Sequence, residues 1–175
     1  MIKKITTPLS VEAVKTLKAG DIVHLSGIIY TARDAAHKKL TDLVQSGSST
    51  GIDFAGAVIY YCGPTPAKPG QVIGSAGPTT SGRMDAYVPY LMEKLGFLGM
   101  IGKGKRSQPV IESIKKHTGI YFAAVGGAGA LISKKIIKAE AVLFEELGAE
   151  AVYRLEVLDF PLIVAIDSEG NDICR

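Results

Sequence analysis

Residues 77–85, Gly-Pro-Thr-Thr-Ser-Gly-Arg-Met-Asp, combine several hydroxyl groups and an arginine on a segment with little side-chain bulk. The apolar, glycine-spaced residues before the segment predict a strand, and the apolar residues after it recur every three or four positions, which predicts a helix. Hydroxyl groups and backbone N–H groups converge at such a strand-to-helix junction and can bind an oxyanion. The segment therefore predicts a small-anion site that includes Thr79, Thr80 and Arg83. The alternative is an ordinary helix start capped by Thr80 or Ser81.

A second arginine lies at the start of another predicted helix. Thr31-Ala-Arg33-Asp34 resembles a capping box, with Thr31 as the cap and Asp34 three residues later. Arg33 does not fit this explanation, because a cation in the first turn of an exposed helix is unfavourable by about 0.3–1 kcal/mol. An anion in front of Arg33 would remove the conflict. His37 lies on the same helical face, and we interpret it as a surface histidine or a support for the site rather than a catalytic group.

Arg83 repeats this conflict, since it stands near the first turn of the helix predicted over 84–95. Pro89 leaves the start of that helix open, because proline is favoured at the first helical position. If the helix begins there, Arg83 lies on a separate turn. In both cases Arg83 stays beside the hydroxyl groups.

Two further junctions are rich in glycine. Gly102 and Gly104 flank Lys103, so that a backbone or a ligand can approach this lysine closely. The segment lacks the full phosphate-loop pattern of ATP-binding proteins, and its alternative interpretation is a solvated basic turn. Residues 125–131, Val-Gly-Gly-Ala-Gly-Ala-Leu, predict close packing of a helix on a strand rather than a ligand contact.

All four junctions follow a predicted strand and precede a predicted helix. In open α/β sheets the ligand binds beyond the carboxyl ends of the strands, so we expect the four junctions to lie near one another. Two arginines, a lysine and threonine hydroxyls suit a small dicarboxylate, because each charge-assisted hydrogen bond contributes roughly 1.5–3 kcal/mol.

Length and composition narrow the class of protein. The 175 residues predict one domain, 1–175, and the net charge of +3 without a dense basic run argues against nucleic-acid binding. Residues 5–20 contain no apolar core of signal-peptide length, and the longest apolar run, 54–62, is far shorter than the ~20 residues that span a membrane. Cys62 and Cys174 form neither a metal motif nor a disulfide framework, which predicts a cytoplasmic protein without a metal of its own.

The order of the predicted elements is partly alternating and partly strand after strand. Helices are predicted over 10–18, 32–45, 84–95, 108–116 and 129–139, and strands over 21–30, 54–61, 71–76, 97–101, 120–125, 152–158 and 162–166, with a turn at 167–171 before a last short strand. This mixture predicts an α/β domain with a mixed sheet or a partly open barrel.

Together these motifs resemble the β subunit, or C-terminal region, of class I iron–sulfur fumarate hydratases. The resemblance rests on Thr31-Ala-Arg-Asp-Ala-Ala-His37, residues 77–85, Met100-Ile-Gly-Lys-Gly104 and Gly126-Gly127, in this order. The β subunit of L-tartrate dehydratase is the sister family. The resemblance implies a single swivelling β/β/α domain that closes over an active site built mainly on a partner α subunit.

The resemblance also implies the cofactor and the roles of individual residues. The α subunit would hold a 4Fe-4S cluster with three cysteines, and this chain would be inactive outside the hetero-oligomer. Arg33, Arg83 and Lys103 match positions that hold the dicarboxylate, and Thr79 matches a threonine that handles a proton. His37 and Thr80 would support the site, and no role is assigned to Arg106 or to the lysine before it.

Three functions follow from these observations. The first is reversible hydration of fumarate to L-malate by a complex of this chain with the α subunit. The second is dehydration of L-tartrate to oxaloacetate by the same kind of complex. The third is a carboxylate-binding module without catalysis.

Overall fold

The computed structural model of the chain describes residues 1–124 and 128–175. Within these residues it contains seven strands, five α-helices and two 3-10 turns. The strands are β1 (Ile2–Thr6), β2 (Ile22–Thr31), β3 (Val58–Tyr60), β4 (Gly99–Gly102), β5 (Ile120–Ala123), β6 (Ile136–Leu143) and β7 (Val152–Ile166). The helices are α1 (Val11–Lys15), α2 (Asp34–Gln45), α3 (Val88–Leu95), α4 (Gln108–His117) and α5 (Gly129–Ser133), and the 3-10 turns are Ser81–Met84 and Glu145–Glu150.

Five of the described strands close into a barrel. β2, β3, β4 and β5 run parallel in this order, and β7 pairs antiparallel with both β5 and β2. β1 extends the sheet beside β2, and β6 extends it beside β7. The predicted α/β fold with a mixed sheet or barrel is confirmed, and the β2–β7 pairing closes the ring. Because β2 to β5 are parallel, the segments that follow them meet at one rim.

β2 contains a bulge at Gly27 and pairs with three strands, β1, β3 and β7. Gly27 has a φ of +111°, and the register with β7 shifts there. The first half of β2 pairs with β1, whereas its last residues pair with β3. A Cβ atom at this position would lie 2.4 Å from the Thr7 hydroxyl oxygen. Glycine is therefore required here both by the backbone angle and by the space.

Two apolar cores lie on the two faces of the sheet. Val58 and Tyr60 of β3 belong to a core with inward-facing residues of the other barrel strands, whereas Ile59 of β3 and the following Tyr61 pack with residues of α2, α3 and α4. This alternation follows from the two-residue period of a strand, and burial on both faces explains why β3 is almost entirely apolar. Of the described helices, none is both long and apolar enough to cross a membrane.

Two of the predicted elements are wrong. The helix predicted over 129–139 stops at Ser133, because the following residues pair with β7 as β6. Tertiary pairing overrides a local helical pattern here. The strand predicted over 71–76 is an irregular segment in which Gly74 and Ser75 bond to Thr65 within the same loop. Among the described residues, no strand pairs with this segment.

Other boundaries differ from the prediction. β1 was not predicted, and the strands predicted over 152–158 and 162–166 are one continuous strand, β7. Asp159 in its middle has a φ of +48°, so the turn-like residues there bend the strand instead of ending it. The predicted turn at 167–171 is present, but the last short strand is reduced to one bridge between Ile166 and Asp172.

Candidate active site

The predicted anion segment lies between the ends of β3 and β4. The Thr79 N–H donates to the Tyr61 carbonyl at 2.7 Å, and the Ser81 N–H donates to the Lys103 carbonyl at 2.9 Å. Thr80 forms a parallel bridge with Lys103. Residues 79–81 thus extend the barrel rim as a short strand-like segment. Thr79 and Lys103, which lie far apart in the sequence, are brought together as predicted.

The hydroxyl groups of this segment have different environments. Ser81 is buried, and its hydroxyl bonds to the Tyr121 hydroxyl at 2.8 Å. Thr80 precedes the 3-10 turn, but its side chain does not cap it. The alternative interpretation, a helix start capped by Thr80 or Ser81, is therefore wrong. Thr79 is half-buried, and its hydroxyl has no hydrogen-bond partner among the residues that the structure describes, which leaves it available to a ligand.

Arg83 lies on a separate turn, as the position of Pro89 allowed. The 3-10 turn Ser81–Met84 carries Arg83, and α3 begins only at Val88 with Pro89 in its first turn. Arg83 is about half exposed, with 52 % of its side chain accessible. It therefore does not oppose the dipole of α3.

The capping box predicted at the start of α2 is absent. Thr31 still belongs to β2, where its hydroxyl accepts the Tyr153 N–H at 3.0 Å and donates to the Ala151 carbonyl at 3.4 Å. Arg33 occupies the cap position in an extended conformation and gives no side-chain cap bond. Asp34 is the first residue of α2, where a carboxylate is favoured by the helix dipole.

Asp34 stands between the two arginines. Its Oδ1 accepts a hydrogen bond from Nε of Arg83 at 2.9 Å, and its Oδ2 lies 3.8 Å from Nη2 of Arg33. Nε of Arg33 is 3.9 Å from a Glu150 carboxylate oxygen. Both Arg33 Nε and Asp34 Oδ2 are buried without a hydrogen bond in the structure. A buried polar group left unpaired costs about 1–3 kcal/mol, so both groups would gain from a hydrogen-bond partner.

Glycines make room for these contacts. A Cβ atom on Gly63, just after β3, would lie 2.8 Å from Cδ of Arg33. A Cβ atom on Gly102 would lie 2.0 Å from the Ser81 hydroxyl oxygen. The space beside Lys103, predicted to admit a backbone or a ligand, is filled at Gly102 by the side chain of Ser81.

Lys103 is exposed at the end of β4, and among the described residues no carboxylate lies within ion-pair distance of its ammonium group. The fourth junction is described only from residue 128 onward; Val125, Gly126 and Gly127 lie outside the described residues.

His37 lies one helical turn after Arg33 and is buried, so it is not a surface residue. Its Nδ1 lies 2.8 Å from the Arg33 carbonyl oxygen, and its ring meets the Tyr61 ring edge-on at 5.4 Å between centroids. Burial lowers the pKa of His37 to about 4, so the ring is neutral near pH 7. A neutral ring that donates to the Arg33 carbonyl supports the start of α2.

The described residues contain no group of three His, Cys, Asp or Glu side chains that could bind a metal ion. Cys62 is buried, and burial raises the pKa of its thiol to about 12, which keeps it protonated. The described side chains therefore do not fit an iron–sulfur cluster.

The rim contains residues to which the sequence assigned no role. Arg106 is buried beside Lys103 and pairs with Asp85, the last residue of the anion segment. Asp34, interpreted as part of a capping box, instead joins the two arginines. Asp34 directly follows Arg33, which was a local signal for that pair, whereas Asp85 is 21 positions before its partner Arg106 and gave no such signal.

A closed mixed barrel with cations and hydroxyl groups gathered at its strand ends defines an α/β protein with a surface suited to a small anion. The chain belongs to the fumarase C-terminus family, whose model matches residues 2–175. The family resemblance predicted from the sequence is thereby confirmed.

Two fumarate hydratases and one protein named as a tartrate dehydratase subunit are similar to most of this chain. The anaerobic class I fumarate hydratase of Escherichia coli is 42 % identical over 149 residues, which cover 85 % of this chain and 27 % of that protein. Fumarate hydratase 2 of Leishmania major is 41 % identical over 155 residues, covering 88 % of this chain and 27 % of that protein. A protein of Methanocaldococcus jannaschii, provisionally named L(+)-tartrate dehydratase subunit beta, is 40 % identical over 170 residues, covering 94 % of this chain and 87 % of that protein. The chain thus spans about a quarter of the length of the fumarate hydratases it matches.

Proposed function

We propose that this chain is the β subunit of a hydro-lyase that reversibly adds water to fumarate to give L-malate. The observation that carries the proposal is the gathering of Arg33, Arg83, Lys103 and Thr79 at one rim of the barrel. The family of the chain and its similarity to proteins named fumarate hydratase support the same reaction class.

The cations of the rim would hold the two carboxylates of the substrate. Arg33 and Arg83 each offer a planar fork for a carboxylate, whereas Lys103 contributes a single point charge. The side chains of Arg33 and Arg83 are 27 % and 52 % accessible, so a substrate carboxylate can approach both arginines. Asp34 would keep both guanidinium groups in place before the substrate arrives.

Thr79 would transfer the proton at the carbon beside a carboxylate. Hydration adds a hydroxyl group to one alkene carbon and a proton to the other, and the reverse reaction removes both. A threonine hydroxyl is a weak acid and a weak base, so it needs help from its surroundings. The nearby cations would supply that help, because positive charge stabilises the deprotonated oxygen.

The proposal places the remaining chemistry on a partner. An α subunit would bind a 4Fe-4S cluster, which as a Lewis acid activates the substrate hydroxyl and carboxylate. The present chain, acting as one swivelling domain over 1–175 in the cytoplasm, would close the rim over the shared site. Its relative provisionally named as a β subunit supports a hetero-oligomer.

Dehydration of L-tartrate is the second candidate. It is favoured by the match to the Methanocaldococcus jannaschii protein, which covers 87 % of that protein's length. Tartrate is also a four-carbon dicarboxylate, so the same cations would hold it. It differs from malate by one additional hydroxyl group, which the rim alone does not discriminate.

Reconstitution with an α subunit tests the proposal. The two chains are co-expressed without oxygen, purified as a complex and assayed with fumarate, L-malate and L-tartrate. We expect turnover of fumarate and malate with a kcat/KM well above that for tartrate. The reverse ratio would assign the chain to tartrate dehydratase. Binding of dicarboxylates without turnover by a cluster-loaded complex would favour the non-catalytic module.

A further inference from the structure

Arg106 is a buried cation at the rim of the barrel. Its side chain is 0 % exposed, and burying an unpaired charge is strongly unfavourable. Nε donates to Oδ1 of Asp85 at 2.8 Å, and Nη2 donates to the Tyr61 hydroxyl at 3.1 Å. The guanidinium group also lies between two aromatic rings, 5.1 Å from the centroid of Tyr61 and 4.8 Å from that of Tyr121. The contacts that compensate this buried charge therefore come mainly from Asp85, Tyr61 and Tyr121.

Asp85 connects Arg106 to two elements. It directly follows the 3-10 turn Ser81–Met84, which carries Arg83. While one carboxylate oxygen accepts from Arg106, the other accepts the Ser107 N–H at 2.6 Å, at the start of α4. The end of the anion segment is thereby fixed to the segment that follows Lys103.

The two tyrosines connect Arg106 to the candidate reactive groups. The Tyr61 carbonyl accepts the N–H of Thr79 at 2.7 Å. The Tyr121 hydroxyl donates to the Gly104 carbonyl at 3.0 Å and bonds to the Ser81 hydroxyl at 2.8 Å. Movement of the Tyr121 ring would therefore change the position of the anion segment relative to the Lys103 turn, and movement of the Tyr61 backbone would displace Thr79.

We infer that Arg106 is a positioning residue, whose pairing with Asp85 and Tyr61 sets the placement of Thr79, Arg83 and Lys103 relative to one another. The inference rests on the proposed function of the rim. A buried ion pair is a poor way to stabilise a fold, because apolar residues of similar size often do so equally well. Its contacts instead converge on the segments that carry the three candidate site residues. Arg106 itself is shielded from a ligand, so its effect on a reaction would pass through these neighbours.

Conservative variants separate positioning from stability. Arg106→Lys keeps the charge, but a lysine cannot bond Asp85 and Tyr61 in the fork geometry of arginine. In the α–β complex we expect kcat/KM per folded molecule to fall at least about tenfold, with a raised KM, as for loss of a charge-assisted hydrogen bond. Tyr61→Phe keeps the ring and removes only the hydroxyl, and should lower kcat/KM roughly two- to tenfold.

Asp21→Asn is the matched control. Asp21 pairs with Lys3 at 2.6 Å, beside the start of β2 and away from the rim. This variant should lower the melting temperature without changing kcat or KM of the folded complex.

Amide hydrogen exchange on the full chain gives a readout that does not need catalysis. In Arg106→Lys, the amides of Thr79 and Ser81 should lose protection while those in the middle of β2 keep theirs. If Arg106→Lys fails to fold, the kinetic constants and the amide exchange of Tyr61→Phe test the inference instead. Unchanged kinetic constants per folded complex would overturn the inference, whatever the exchange shows. If the wild-type complex turns over none of the dicarboxylates, the proposed function fails, and unchanged exchange at Thr79 and Ser81 would then overturn the inference separately.

Discussion

Nε of Arg83 lies 2.9 Å from Oδ1 of Asp34, and this ion pair joins the 3-10 turn Ser81–Met84 to the first residue of α2. The other oxygen of Asp34 faces Arg33, whose Nη2 is 3.8 Å away. One carboxylate thus lies between two cations that come from different strand ends. It offsets the repulsion between two guanidinium groups that are held together before any ligand arrives.

Alanine at Arg83 or at Arg33 should leave the fold nearly intact and impair catalysis. Ion pairs as exposed as Arg83–Asp34 contribute about 0.2–1 kcal/mol, and removing a cation from the start of α2 relieves an unfavourable dipole contact. Each lost charge-assisted hydrogen bond to the substrate should lower kcat/KM by about ten- to a hundredfold. Thermal unfolding of the chain and steady-state kinetics of the α–β complex measure the two effects.

Lys38→Ala provides the control for these variants. Lys38 pairs with Asp42 on the exposed face of α2. The change should shift the melting temperature by no more than a few degrees and should leave kcat and KM unchanged. A large loss of melting temperature in Arg33→Ala, with full activity per folded molecule, would make that arginine structural.

The sequence predicted the rim better than it predicted the elements around it. Arg33 and Lys103 follow the ends of β2 and β4, so the parallel order of these strands places them at one rim. Thr79 and Arg83 reach the same rim without the strand predicted before them, because residues 79–81 hydrogen-bond to Tyr61 and Lys103. The error at 129–139 arose because residues 136–143 become a strand only through pairing with β7, which lies farther along the chain. Pairing between distant segments leaves little trace in a local pattern.

The contacts that organise the rim were the hardest to predict. The spacing of Thr31 and Asp34 matched a capping box, but Thr31 remains inside β2 and bonds to β7. Arg106 lies in a basic stretch with two lysines, a pattern typical of a solvent-exposed turn. Its partner Asp85 is 21 positions earlier in the sequence. The Arg106 guanidinium group lies beside Tyr61, which follows β3, and Tyr121 of β5, and these two rings are brought together only by the folded sheet.

Folding stability should fall on acidification because of His37. Burial lowers its pKa to about 4 in the folded chain, from an ordinary value of 6.5. Between these two pH values the unfolded chain binds a proton that the folded chain does not, so the free energy of unfolding decreases as the pH falls. The loss from this residue should reach up to about 3 kcal/mol at pH 4. Urea unfolding at pH 7, 6, 5 and 4 measures it.

His37→Asn is the companion variant. Asparagine can still donate to the Arg33 carbonyl but does not titrate, so the decrease between pH 6.5 and 4 should shrink, although the variant is less stable at pH 7 because it leaves a cavity. An identical pH dependence in both proteins would show that other groups cause the loss.

The purified chain alone should be colourless, bind no iron and show no hydratase activity. This expectation rests on its cysteines: Cys62 is buried with a raised pKa, and the described residues hold no group able to bind a metal. Iron analysis, absorption spectra and fumarate assays before and after addition of an α subunit measure it. Activity of the chain alone in metal-free buffer would contradict the split site.

The last prediction separates chemistry from binding at Thr79. Thr79→Val keeps the shape of the side chain and removes the hydroxyl, which has no partner among the described residues; folding should therefore be unaffected. If that hydroxyl transfers the proton, kcat should fall about 10²–10⁴-fold while KM changes little, because the interaction is made mainly in the transition state. Thr80→Val, at the exposed neighbouring position, should cost much less. A loss within about tenfold in kcat for Thr79→Val equals that of a single neutral hydrogen bond. Such a result would assign Thr79 to substrate positioning and place the base on the α subunit.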